Sequence, residues 1–165
     1  MRPQIQPLTA EAFIPFGDVI EASQQAKSFI INQGFTQRFH DLSNVDVLAN
    51  GGHVSINIFR SQPLPLPIGI YLLERHPLSS QAFMPLSGRP YLVVVAPPGN
   101  LDESQVKVFL ASPQQGVNYH AGTWHHFCLA LYKESDFLVI DRVGDGPNCD
   151  EQMLEQTLFI EQGDI

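Results

Sequence analysis

Residues 89–98 read RPYLVVVAPP, and the middle of that stretch decides the fold. Tyr91 to Val95 are apolar at every position, and three of the five are valines. Valine is stiff at χ1 and fits a pleated surface better than a helix. Prolines close the run on both sides, so it is a short strand and not a piece of a buried helix. A strand with no polar alternation has no wet face, and both of its faces must be covered. FLVI at 137–140, inside SDFLVIDR, reads the same way. Working outward, HVSINIFRSQ (53–62) alternates, with Val54, Ile56 and Ile58 on one face and Ser55, Asn57 and Phe59 on the other. SFIINQG (28–34), IGIYLLERH (68–76), QAFMPLSG (81–88), VKVFLAS (106–112) and GVNYHAGTWHHFCLALY (116–132) continue the series. Strands recurring about every 10 residues between turn signals predict an all-β sandwich or barrel. TAEAFIPFGDVIE (9–21) predicts a short helix with Thr9 as N-cap and Pro15 as its stop. The tail DEQMLEQTLFIEQ (150–162) fits a short helix or an edge strand.

The 165 residues suit one domain spanning 1–165. A hydrophobic fraction of 44% and a charged fraction of 16% are those of a globular chain. The net charge of −8 argues against nucleic acid and anionic membranes as partners. A small anionic substrate stays compatible, because a few arginines in a pocket reverse the local potential. Cys128 and Cys149 form no Cys-x-x-Cys pair and are too few for a disulfide scaffold. The start MRPQIQPLTAEAF holds no long apolar run, and no stretch nears the roughly 20 residues of a membrane span. A cytoplasmic protein is the expectation. No nucleophile elbow or phosphate loop occurs, so no organic cofactor is expected.

Chemistry concentrates in two places. ERHPLSSQAFMPLSG (74–88) sets Glu74, His76 and Gln81 ahead of Gly88, and YHAGTWHH (119–126) holds His120, Gly122, His125 and His126. Glu74 and His76 are two apart on a strand, so they share a face. His125 from a neighbouring strand completes a cluster across the sheet. Imidazole and carboxylate suit a divalent transition metal or acid–base work, and glutamine is the weaker, neutral ligand. His126 is expected on the opposite face from His125, and His53, after NGG, at the surface. Trp124 is read as packing, Cys128 as a small buried apolar residue, and Arg142 as a partner of Asp141 or nearby acids.

These spacings resemble the two motifs of the cupin superfamily. Glu74-x-His76, four residues, Gln81, six residues, Gly88 stands for the first. His120-x-Gly122-x-x-His125 stands for the second, with histidine in place of the usual proline. The match can be made closer. INQGFTQRFHDL (31–42), LERHPLSSQAFMPL (73–86), GVNYHAGTWHH and DFLVIDR follow in the order of bacterial ureidoglycolate lyases. The resemblance runs from PLTAEAFIPFGDVIE to NCD at 148–150, nearly the whole chain. It implies a cupin-like double-stranded β-helix, a homodimer, and the splitting of (S)-ureidoglycolate into glyoxylate and urea. It also implies nickel as the divalent metal, held by Glu74, His76, Gln81 and His125 if a metal is bound.

The substrate is a hemiaminal whose one carbon carries a hydroxyl, a carboxylate and the urea nitrogen. Its elimination needs a base for the hydroxyl proton, an acid for the departing nitrogen and a holder for the carboxylate. His120 or Glu74 is expected at the hydroxyl, and His125 or His120 at the nitrogen, with His76 beside them. Arg38, Arg60 and Arg75 are the candidate carboxylate binders. Arg75 ranks third, since strand alternation turns it away from Glu74 and His76. Asn32 and Asn118 are candidates for the ureido group. Three rivals remain: an amidohydrolase releasing ammonia from the same substrate, a cupin isomerase or dioxygenase, and a non-catalytic cupin that binds a small carboxylate.

Overall fold

A computed structural model describes residues 3–165. In chain order the elements are β1 (Ile5–Pro7), α1 (Ala10–Phe13), β2 (Gly17–Ile20), β3 (Ser28–Ile31), β4 (Thr36–Phe39), β5 (His53–Ser61), β6 (Ile68–Arg75), β7 (Gln81–Pro85), β8 (Tyr91–Ala96), β9 (Lys107–Ala111), β10 (Gly116–Tyr119), β11 (Trp124–His125), β12 (Leu129–Ala130), β13 (Ser135–Val143) and β14 (Asp150–Ile160). A seven-stranded sheet runs β1-β9-β8-β11-β6-β14, with β12 also paired to β8. A five-stranded sheet runs β2-β10-β7-β13-β5, and β3 and β4 form a separate hairpin. Every pairing is antiparallel except β1 with β9. The result is the all-β architecture that the strand series predicts, and it is consistent with the cupin-like fold that the resemblance implies.

The short helix forms as read. Thr9 Oγ1 accepts from the Ala12 amide at 3.2 Å, and the helix ends before Pro15. It delivers Phe13 and Phe16 into the space between the sheets, where they meet Phe83, Val93, Val95, Phe109, Phe137 and Val139. On β8 the other residues of the run, Leu92 and Val94, face the opposite way, with Ile68, Ile70, Leu158 and Ile160. All five residues of YLVVV are 2% exposed or less, so this strand is covered on both faces.

The reading of FLVI is corrected. Phe137 and Val139 are sealed inside, but Leu138 and Ile140 are only half-buried. Their register partners on β5, Ile58 and Ile56, are 55% and 71% exposed. The cause is what lies over each sheet. Residues 41–47 cross the outer side of the five-stranded sheet near β10 and β7. There the Asn44 carbonyl accepts from Asn118 Nδ2 at 2.9 Å, and the Asp46 amide donates to Ser80 Oγ at 2.9 Å. The segment reaches β13 only at its far end, where Arg142 donates to the Ala49 carbonyl, and Ile56 and Ile58 on β5 stay exposed. On β5 it is Ser55 and Asn57 that turn inward.

Two further outcomes concern continuity. GVNYHAGTWHHFCLALY is three short strands and not one, because the chain turns at Gly122, whose φ of 80° favours glycine. The tail is an edge strand, β14, bulged between Met153 and Leu158. At the bulge, Glu103 accepts from the free amides of Glu155 and Gln156. No described helix is long and apolar enough to cross a membrane.

Candidate active site

The end of β6 carries the cluster. Glu74 sits opposite His125 in the β6–β11 pairing, so the ladder itself brings the two side chains together. His76 follows directly after β6. The loop behind it is clamped by Asn148, whose Oδ1 accepts from the Leu78 amide at 2.7 Å and whose Nδ2 donates to Ser79 Oγ at 2.8 Å. The Asn148 carbonyl lies 2.7 Å from His76 Nδ1, and a carbonyl only accepts, so Nδ1 donates. On its other side, His76 Nε2 is 3.2 Å from Gln81 Oε1. The two imidazoles of His76 and His125 are 5.1 Å apart between centroids.

His125 is fully buried and stacked on Tyr119, with centroids 4.3 Å apart and planes 10° from parallel. Its Nδ1 lies 3.3 Å from the His126 carbonyl and 3.8 Å from Glu74 Oε1. Its Nε2 has no hydrogen-bond partner among the described residues. Burial, helped by neighbouring His76, pushes its pKa down to about 3. His125 is therefore a neutral imidazole that donates from Nδ1 and presents a bare lone pair at Nε2. Glu74 goes the other way. Burial raises its carboxyl above the usual range, nearby Glu151 adds to this, and His76 opposes it. A half-buried carboxylate of raised pKa beside a neutral imidazole suits proton transfer.

Donor atoms of Glu74, His76 and His125 lie within 4.8 Å of one another. That spacing, with the orphaned His125 Nε2 and the Gln81 oxygen turned inward, fits a divalent ion. A cleft of about 290 Å³ reaches the cluster at His76 and Gln81, with Glu74 and His125 behind them, and is otherwise lined by Ser79, Asp141, Arg142, Asn148 and Cys149.

The remaining sequence candidates lie elsewhere. His120 is on the outer side, its Nε2 3.1 Å from Asp18 Oδ2. Asn118 also faces outward, donating to Asp18 and to the Asn44 carbonyl. Both follow from alternation on β10, where Tyr119 takes the inward direction. Arg60 forms a two-bond pair with Asp136, and Arg75 pairs with Asp150 while lying 4.6 Å over the Trp124 ring. Arg38 lies over Phe29 on the hairpin, and Asn32 donates to Thr36 at its turn. Arg142 does not pair with Asp141. Its Nε and Nη2 donate to the Ala49 and Asp145 carbonyls, and it borders the cleft. Asp141, Asn148 and Tyr119 were not singled out from the sequence. The inward direction of Asp141 was readable from Phe137 and Val139 on the same strand. The reach of Asn148 back to residue 76 was not.

The ureidoglycolate lyase family model matches residues 2–161. A protein of Burkholderia mallei called ureidoglycolate lyase is 56% identical over 156 residues, 94% of this chain and 91% of its own length. One of the same name from Pseudomonas syringae pv. syringae is 51% identical over 157 residues, covering 94% and 92%. One from Azotobacter vinelandii is 53% identical over 148 residues, 89% of each. With this match running almost end to end, the chain belongs to the ureidoglycolate lyase family.

Proposed function

We propose that this chain splits ureidoglycolate into glyoxylate and urea. The observation that carries the chemistry is the bare Nε2 of His125 beside Glu74 and His76, of which His76 lines a cleft bordered by an arginine. Glu74 takes the hydroxyl proton as the C–O bond becomes the aldehyde of glyoxylate. The C–N bond breaks, and the departing nitrogen takes a proton from His76 Nε2, whose Nδ1 keeps its own proton on the Asn148 carbonyl, leaving urea. His125 Nε2 accepts from an N–H or O–H of the substrate and fixes its rotation. The carboxylate is assigned to Arg142, which borders the cleft and whose guanidinium is held by Nε and Nη2 bonds to the Ala49 and Asp145 carbonyls. Arg38, Arg60 and Arg75 border no part of this cleft, and His120 has no place in the relay.

In the alternative arrangement Glu74, His76 and His125, with the Gln81 oxygen, would hold a divalent ion such as nickel instead of carrying protons, and the ion would supply Lewis-acid polarisation of the substrate oxygen. The test is release of urea, glyoxylate and ammonia from racemic ureidoglycolate, after chelation and again with nickel restored. Equal urea and glyoxylate is the expected result. Ammonia in place of urea would make the enzyme an amidohydrolase.

We also infer that two copies associate through the bare outer face of β5 and β13, which Val54, Ile56 and Ile58 make apolar. The free thiols of Cys128 and Cys149 suit a reducing, cytoplasmic setting.

A further inference from the structure

The geometry points to Asp141 as the positioning residue that keeps the oxygen end of Gln81, and not its nitrogen end, turned to the cluster of Glu74, His76 and His125. The inference rests on the lyase reading for its kinetic consequence but not for its structural one. Gln81 is 6% exposed and stands where the chain enters β7, with His76 on one side and Asp141 on the other. A glutamine there has two ends of opposite character: an oxygen that only accepts and an NH2 that only donates. Its shape does not choose between them, so its neighbours must.

Asp141 makes the choice. Its Oδ2 lies 3.5 Å from Gln81 Nε2, and its Oδ1 accepts from Asn57 Nδ2 at 3.0 Å. Asn57 is in turn fixed by Ser55 Oγ, which donates to Asn57 Oδ1 at 3.3 Å. Donors therefore converge on the Asp141 carboxylate from both sides. With the amide rotated by half a turn, Gln81 Oε1 would face a carboxylate oxygen, and its NH2 would face His76 Nε2. The first contact is repulsive in a partly dry site, where an unpaired polar contact is costly. The carboxylate thus holds the Gln81 oxygen 3.2 Å from His76 Nε2. With Nδ1–H held by the Asn148 carbonyl, the oxygen accepts from Nε2 only when the imidazole carries both protons, and otherwise it is offered, with the Nε2 lone pair, to a cation. An NH2 in its place does neither. A neutral glutamine in place of a carboxylate works at this position only while a second residue keeps it from rotating, and Asp141, from a different strand, is that residue.

The test compares the whole chain with Asp141→Asn and with the double variant Asp141→Asn/Gln81→Glu. Asparagine keeps the shape of Asp141 and its bond from Asn57, but it points its own NH2 at Gln81 and so reverses the amide. A carboxylate at 81 has no nitrogen end to reverse and accepts from that NH2. We expect Asp141→Asn to lower kcat by roughly 10–100-fold with KM little changed, in line with outer partners of site residues. The double variant should recover most of the loss. The amide itself is read by nuclear Overhauser contacts from the Gln81 side-chain NH2, which should reach Asp141 in the unaltered chain and the His76 ring in Asp141→Asn. Unchanged contacts in Asp141→Asn, or a double variant no better than the single, would overturn the assignment. If the unaltered chain released no glyoxylate, the lyase reading would fail, and the amide contacts would still decide the role of Asp141.

Discussion

On the back of the seven-stranded sheet Ile70, Leu92 and Val94 are sealed at 0–2% exposure, while on the back of the five-stranded sheet Ile56 and Ile58 stand in solvent. Both sheets share one aromatic core between them, and both present aliphatic residues on their backs. The first back is covered by the chain's own β14 side and C-terminal end, through Leu154, Leu158, Ile160 and Ile165. The second is covered over β10 and β7 and at the Arg142 end of β13, but not over Ile56 and Ile58 of β5. On β5 the usual arrangement is even reversed, with Ser55 and Asn57 inward and Val54, Ile56 and Ile58 outward. The inward polar residues there serve the network at Asp141, and the outward apolar ones are left for another surface. Hydrophobic pattern thus reports that a face wants cover, but not whether the same chain supplies it.

The largest effect should appear at the inner, polar end of the barrel. His76→Ala and His125→Ala are expected to fold yet lose about 10²–10⁴ in kcat, the usual share of positioned acid–base groups. Near-normal urea release in both would show that this end is packing like the rest. Next comes stability. Ile70→Ala, on the covered back, should cost ~2–5 kcal/mol in denaturant unfolding, whereas Ile56→Thr should stay within ~0.5 kcal/mol in the monomer. Equal costs would erase the distinction between the two backs.

Association should follow the same division. Ile56→Asp with Ile58→Asp is expected to convert the dimer to a monomer by sedimentation while turnover persists. A wild-type mass in that variant would free the β5 face from any role in pairing. The most gradual effect is a slope with pH. The folded pKa of His125 is depressed to about 3, against about 6.5 unfolded, so the unfolded state takes the proton first. Stability is full above pH 6.5 and falls as the pH drops toward 3, by up to ~1.4 kcal/mol per unit. His126, also pushed down by burial, adds in the same direction. Melting curves from pH 7 to pH 4 should be shallower for His125→Gln.

Much of this was legible in the residues, for reasons that can be stated one by one. YLVVV announced a strand covered on both faces, and Thr9 and Pro15 marked the ends of α1. Glu74, His76 and His125 were legible because strand alternation and pairing act locally and regularly. His120 was misplaced because the cupin spacing counts residues and not faces. Next to inward Tyr119 it had to point out, toward Asp18. Asp141 and Asn148 escaped notice because their partners are set by tertiary contact, about 60 and 70 positions away in sequence. The bare back of β5 was invisible because only the path of residues 41–47 determines where the cover stops.

The bulge of β14 reaches beyond its own strand. It lies on an outer edge of the seven-stranded sheet, where a flat row of unpaired amides would invite another strand. Glu103 occupies two of those amides, and Glu151, Gln152, Glu155 and Gln156 line the exposed side. With two amides taken and the strand bent at the bulge, that edge is a poorer template for an added strand.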